Sequence, residues 1–378
     1  MFQYPDSALV MADNSLKMAV SADYTWGIAN SYYFKGYILE EIQNKAVAGL
    51  LMYLKAAHVL ENKLDERSVN TYTSLMLNAG SVLHVNGKNE EAIDLYEKAL
   101  KKAKLYNLED QVLKLTFNKA FAFRDKGDLS LAIEAIEKSI ELSDKLKNEK
   151  IYNDSWNLLG MILMDDNSIK KAESCFLKII NNTDARPTIK SNASNNLGDL
   201  YFSQGQYEYA IAAYTQADLN NAIPEVKFDN YLGLTNVYRK MGELSEAIKY
   251  GQGAILMYDS VVPEDQYMQI FNVMSEMHLE KGEQQLAYSY SSRYFDETQK
   301  FFQSQKELIK IKSEFQVDLL LAGFYTEMEF EAFEEKYSQT IIFSITILFA
   351  VVLLVHFAYK RRMSYSRKKI REVLNDYR

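Results

Sequence analysis

Five times along the chain a glycine is followed, after four residues, by an alanine: GKNEEA (87–92), GDLSLA (127–132), GQYEYA (205–210), GELSEA (242–247) and GEQQLA (282–287). A sixth copy, NSIKKA (167–172), has asparagine in place of the glycine. The alanines fall at 92, 132, 172, 210, 247 and 287, at intervals of 40, 40, 38, 37 and 40. A period in this range constrains the fold strongly. A short unit cannot bury its apolar face alone, so it stacks on its neighbours into a quasi-one-dimensional array. Such an array also escapes the size limit that would divide a 378-residue chain into two or three separate cores.

Each repeat position has a physical reason. Gly, or Asn at 167, takes the left-handed conformation that ends one helix, and the polar or acidic residues after it open the next. Twelve residues before the alanine stands a small residue: Gly80, Ala120, Gly160, Gly198 and Ser275. That site and the alanine lie at similar distances either side of the turn, so two antiparallel helices can approach closely there. Four residues after the alanine, Tyr96, Phe176 and Tyr214 act as fillers one helical turn on. Gly36, Gly49, Tyr53 and Ala56 read as a further copy with one extra residue. PDSALVMADNSLKMA (5–19) reads as a second helix without its first, so the chain is expected to begin in mid-repeat and to carry no signal peptide.

These residues resemble the tetratricopeptide (TPR) family. Trp156, Leu159, Gly160, Ala172 and Phe176 match its pattern, as do Leu197, Gly198, Tyr201, Gly205, Ala210, Tyr214 and Ala217. The period near 40 is similar to the longer-helix variant of the 34-residue repeat. Gly251 and Ser291, in place of the large residue, and Asn167 depart from the pattern in single repeats. The resemblance implies an all-α TPR solenoid of antiparallel helix pairs over 1–295, about seven repeats with the first incomplete. It also implies binding of a protein or peptide along the groove lined by the first helix of each pair.

Counting back from the alanines, Asn78, Asn118 and Asn196 share one equivalent position, and Asn157, Asn195 and Asn272 lie one residue earlier. An asparagine amide both donates and accepts, which suits a peptide backbone. In long-repeat relatives, groove asparagines at similar positions hold extended peptides. Arg124 and Arg239 also recur at equivalent positions, either as groove residues or as solvated surface charge.

Beyond 295 the pattern stops. Residues 296–339 keep apolar positions at 3–4 spacing (Leu308, Ile311, Phe315, Leu319, Ala322, Phe330, Phe333, Tyr337), interrupted near Gly323 and Thr326. They read as an amphipathic stalk, either a coiled coil that could pair two copies or a cap on the last repeat. Residues 340–359 enclose IIFSITILFAVVLLVHFA, a run with no formally charged side chain. Twenty helical residues span about 30 Å, the thickness of a bilayer core. Its reading is a transmembrane helix in contact with lipid; a buried core helix fits poorly between EFEAFEEK and KRR. Residues 360–378 form a basic juxtamembrane tail with eight basic and two acidic side chains, whereas the remainder holds 35 basic and 49 acidic. The acidic body argues against nucleic-acid binding.

By the positive-inside rule the tail lies in the cytoplasm and the repeats outside. The layout resembles the extracytoplasmic input region of membrane-anchored TPR sensors of the Bacteroidetes type, without their output domain. It implies a sensor or scaffold in a bacterial inner membrane with periplasmic repeats. That placement calls for an export signal upstream of the repeats. The alternative is a tail-anchored adaptor with cytosolic repeats. There is no HExxH, CxxC or GxGxxG string and no P-loop, one cysteine (Cys175) and four histidines. No cofactor or metal is therefore expected, and an enzyme is the remotest class.

Overall fold

The computed structural model describes residues 5–314, apart from Asn44, Asp218, Asn221, Asp259 and residues 261–264. The stalk from Phe315 onward, the apolar run at 340–359 and the tail at 360–378 lie outside the described residues. Among the described residues every regular element is helical, and no helix is long and apolar enough to cross a membrane. A leading helix, α1 (Pro5–Ser21), is followed by seven hairpins. Their first, or A, helices are α2 (Thr25–Tyr37), α4 (Glu66–Val85), α6 (Glu109–Lys126), α8 (Glu149–Asp165), α10 (Pro187–Ser203), α12 (Pro224–Met241) and α14 (Asp265–Glu280). Their B helices are α3 (Ala46–Leu60), α5 (Asn89–Leu105), α7 (Leu129–Lys145), α9 (Ile169–Ile180), α11 (Tyr207–Thr215), α13 (Leu244–Tyr258) and α15 (Gln284–Glu314). α15 runs on unbroken past residue 295, where the repeat pattern ends.

The turns are built as their glycines require. Gly87, Gly127, Gly205, Gly242 and Gly282 have φ between 71° and 90°, and Asn167 joins them at 58°. In each, the next amide bonds back across the helix end, as Asp128 N–H does to Phe123 O at 2.9 Å and Ser168 N–H to Leu163 O at 2.7 Å. These bonds occupy carbonyls the helix leaves open. Two of the turns between repeats use the same device without glycine: Asn107 (φ 55°) and Lys147 (φ 54°) are left-handed.

Four of the seven hairpins, the first, second, fourth and fifth, close on a ring-on-glycine contact. α9 shows the apolar stripe plainly, with Ala172, Cys175, Phe176, Ile179 and Ile180 buried at i, i+3, i+4, i+7 and i+8. The fully buried Phe176 ring lies on Gly160 of α8, Tyr96 lies on Gly80, and Tyr214 lies on Gly198. A Cβ at Gly198 would come 2.6 Å from the Tyr214 ring. The small position and the aromatic filler are thus two halves of one contact. In the sixth hairpin, which lacks the aromatic, the glycine is on the B helix: Gly251 of α13 receives Met274 of α14, the A helix of the next repeat. In the first hairpin the extra residue is absorbed by a π-helical turn, Ile38–Ile42, where Gln43 N–H reaches Ile38 O at 3.0 Å. Gly36 there still receives the Tyr53 ring.

Gly160→Val tests this contact. The added isopropyl group, whose Cβ alone would come 2.4 Å from the Phe176 ring, meets a fully buried side chain, and overpacking of this kind costs about 1–3 kcal/mol. The urea midpoint is expected to fall, and adding Phe176→Leu to recover part of the loss. A midpoint unchanged by Gly160→Val would mean that the helices do not meet there.

Neighbouring A helices touch directly, α4 on α6, α6 on α8, α8 on α10 and α10 on α12, while B helices of adjacent repeats have no comparable contact. The A helices therefore line the inner face of the array.

Candidate functional site: the A-helix groove

Polar side chains one repeat apart meet along this inner face. Asn196 Nδ2 donates to Asn157 Oδ1 at 2.9 Å, joining α10 to α8 across 39 residues. Among the described residues Asn157 Nδ2 meets only the weak acceptor Met161 Sδ, at 3.9 Å, and Asn196 Oδ1 accepts no bond. The pair therefore shows one amide donor and one carbonyl acceptor to the groove, the complement of a peptide unit. Both residues are half-buried, so their polar atoms are reachable but held in place.

The other sequence-derived positions separate into distinct environments. Asn118 is half-buried and donates to Lys114 O of its own helix at 2.9 Å, which leaves its carbonyl free. Asn78 is also half-buried and makes no hydrogen bond among the described residues. Asn272 donates to Glu276 at 3.1 Å. Asn195 is buried, and α12 engages both ends of its amide: it donates to Val226 O at 2.9 Å and accepts from Asn230 Nδ2 at 2.8 Å. Asn230, also buried, reaches Tyr214 O as well, at 2.8 Å. Asn195 and Asn230 thus bind one repeat to the next. Asn230 was not among the sequence candidates, because it stands outside the alanine-counted register.

The arginines are engaged too. Arg124 Nε lies 2.6 Å from Asp165 Oδ2 in the next A helix, and Arg239 pairs with Glu276 in the same manner. His84 adds a third such pair, 2.7 Å from Asp125. These pairs link successive A helices near their C-terminal ends. Cys175 is buried, and burial pushes its thiol up to about 11, which removes the thiolate needed for a nucleophile. Among the described residues no three metal-ligating side chains converge.

A family profile for the tetratricopeptide repeat matches residues 113–146, 154–183 and 191–221, the segments that form α6–α7, α8–α9 and α10–α11. The chain carries tetratricopeptide repeats. Outside the matched segments, the second, sixth and seventh hairpins have the same left-handed glycine turn, and the first and second have the ring-on-glycine contact. Among curated proteins nothing matches. Solved structures with some likeness include BtubC from P. vanneervenii (17% identity over 57% of this chain and 90% of that one, TM-score 0.49). A tetratricopeptide repeat protein from Parabacteroides merdae gives 15% identity over 75% and 97%, with TM-score 0.48. A Rap protein complexed with Competence and Sporulation Factor gives 16% over 74% and 76%, with TM-score 0.46. The assignment of TPR repeats rests on the profile and the hairpin geometry, not on these likenesses.

Proposed function

We propose that this chain is a membrane-anchored receptor whose TPR groove captures an extended peptide or unstructured protein segment, serving as the sensory or scaffolding part of a bacterial signalling system. The observation that carries the binding role is the Asn157–Asn196 pair: a rigid amide donor and acceptor side by side on the inner face. Amides recognise backbone rather than side chains, so the groove reads an extended strand with few sequence demands at that point. Anchoring is argued from the uncharged run at 340–359 and its basic flank, which support an inner-membrane protein with periplasmic repeats. A stalk at 296–339 that pairs two copies would give a route from groove to membrane. None of this asks for catalysis, and the role is that of a protein-interaction module.

The test is selection by the full chain in detergent micelles from a displayed library of random nonapeptides. Expected are enriched peptides that compete with one another for one saturable site. If repeated rounds enrich nothing above an unloaded matrix, the groove is not a peptide site.

A further inference from the structure

Beside the Asn157–Asn196 pair the groove deepens into a pocket of about 490 Å³ between α8, α10 and α12. Three carboxylates line it, Asp199, Glu225 and Asp229, and among the described residues neither lysine nor arginine does. The nearby arginines are occupied elsewhere, Arg186 at 3.6 Å from Asp154 and Arg239 on Glu276. Asp199 is held in place by its neighbour. Tyr214, 1% exposed and wedged between Gly198 and Gly233, donates its hydroxyl to Asp199 Oδ1 at 2.5 Å and so fixes the carboxylate. Asp199 keeps an open side toward the groove, yet protein surrounds the rest of it. That desolvation raises its carboxyl above the usual range, even though the Tyr214 hydroxyl favours the anion. Exposed on its groove side and fixed by the Tyr214 hydroxyl, this carboxylate offers a set anion to a cation entering the pocket.

The shape selects the kind of cation. No three of these side chains converge as metal ligands among the described residues, so a bare ion finds no cage. A charge carried on a long stem can enter from the groove and reach several carboxylates in turn. We propose that this pocket receives the lysine or arginine side chain of a peptide whose backbone lies against Asn157 and Asn196. The proposal rests on the groove reading above and adds a side-chain preference to it.

The test uses nonapeptide pools randomised everywhere except a fixed central residue: arginine, lysine, citrulline or glutamate. Retention is measured on the immobilised full chain. The arginine and lysine pools are expected to be retained about tenfold more than the citrulline pool, and glutamate least, as for a charge pair formed in a partly desolvated site. Asp199→Asn still accepts the Tyr214 hydroxyl, and it is expected to level arginine with citrulline at an unchanged melting midpoint. Should that variant unfold, Glu225→Gln with Asp229→Asn supplies the same comparison from the pocket's other wall. Equal retention of arginine and citrulline by the unaltered chain overturns the cation preference and leaves the groove reading standing. A basic preference that survives both sets of substitutions places the cation elsewhere and also overturns it. Retention of no pool overturns both.

Discussion

Replacing Asn118, Asn157 and Asn196 together with alanine is expected to abolish most peptide retention while leaving the fold at least as stable. A hydrogen bond to a backbone is worth roughly 0.5–1.5 kcal/mol, so three lost bonds predict a weakening of roughly ten- to a thousandfold if they act independently. Asn157 and Asn196 share a bond and couple, which places the expected value toward the lower end. Stability is the control, and it has a definite sign. Asn118 bonds only within its own helix, and Asn157 and Asn196 mainly bond each other, so no buried partner is orphaned by removing all three. Alanine is also the better helix former by up to about 0.7 kcal/mol per site. The melting midpoint should therefore hold or rise as binding is lost. Titration of a library-selected peptide against both proteins checks this, and equal affinities would move the site off this face. The same replacement at Asn195 predicts the opposite pattern: loss of stability first, because Val226 O would lose its side-chain donor and Asn230 one of its two acceptors in a buried site.

The contrast between Asn195 and Asn196 shows how far the sequence could be read. Periodicity gave the hairpins, the left-handed turns and the small-residue sites, because each depends on residues close together in one repeat. Gly80, Gly160 and Gly198 were legible as close-packing positions, and Tyr96, Phe176 and Tyr214 as fillers. That each ring sits on the glycine sixteen residues before it follows from the two spacings taken together. What could not be read was how successive repeats rotate against each other. That rotation turns Asn195 into a buried tie to α12 and leaves its neighbour facing the groove. It also pairs Arg124 with Asp165, which no count within a single repeat would reveal. The pocket escaped notice for the same reason, since Asp199, Glu225 and Asp229 come together only when α10 and α12 are laid side by side. Lys147 and Asn107 were missed differently: a left-handed turn without glycine carries little signature.

Deleting residues 340–378 is expected to move the protein from the membrane pellet to the soluble fraction completely, the largest change any alteration of this chain should cause. The run 341–358 has one histidine and no formally charged side chain. Its leucines, isoleucines, valines and phenylalanines each favour insertion by roughly 0.3–0.6 kcal/mol at the centre of a span. The described helices supply no substitute, since none is long and apolar enough to cross. A finer version keeps the whole chain and changes one residue. Leu348 lies near the middle of the run, where an arginine costs roughly 2.5–3.5 kcal/mol, whereas arginine at Tyr359 beside the basic flank should cost little. Leu348→Arg is therefore expected to shift part of the protein out of the carbonate-washed pellet, and Tyr359→Arg to leave it there. If the truncated chain still sediments with membranes in high salt, the anchor lies elsewhere. Protease added to spheroplasts then reads the side: repeats cleaved while the tail is spared place the groove outside the cytoplasm, and the reverse supports a tail-anchored adaptor.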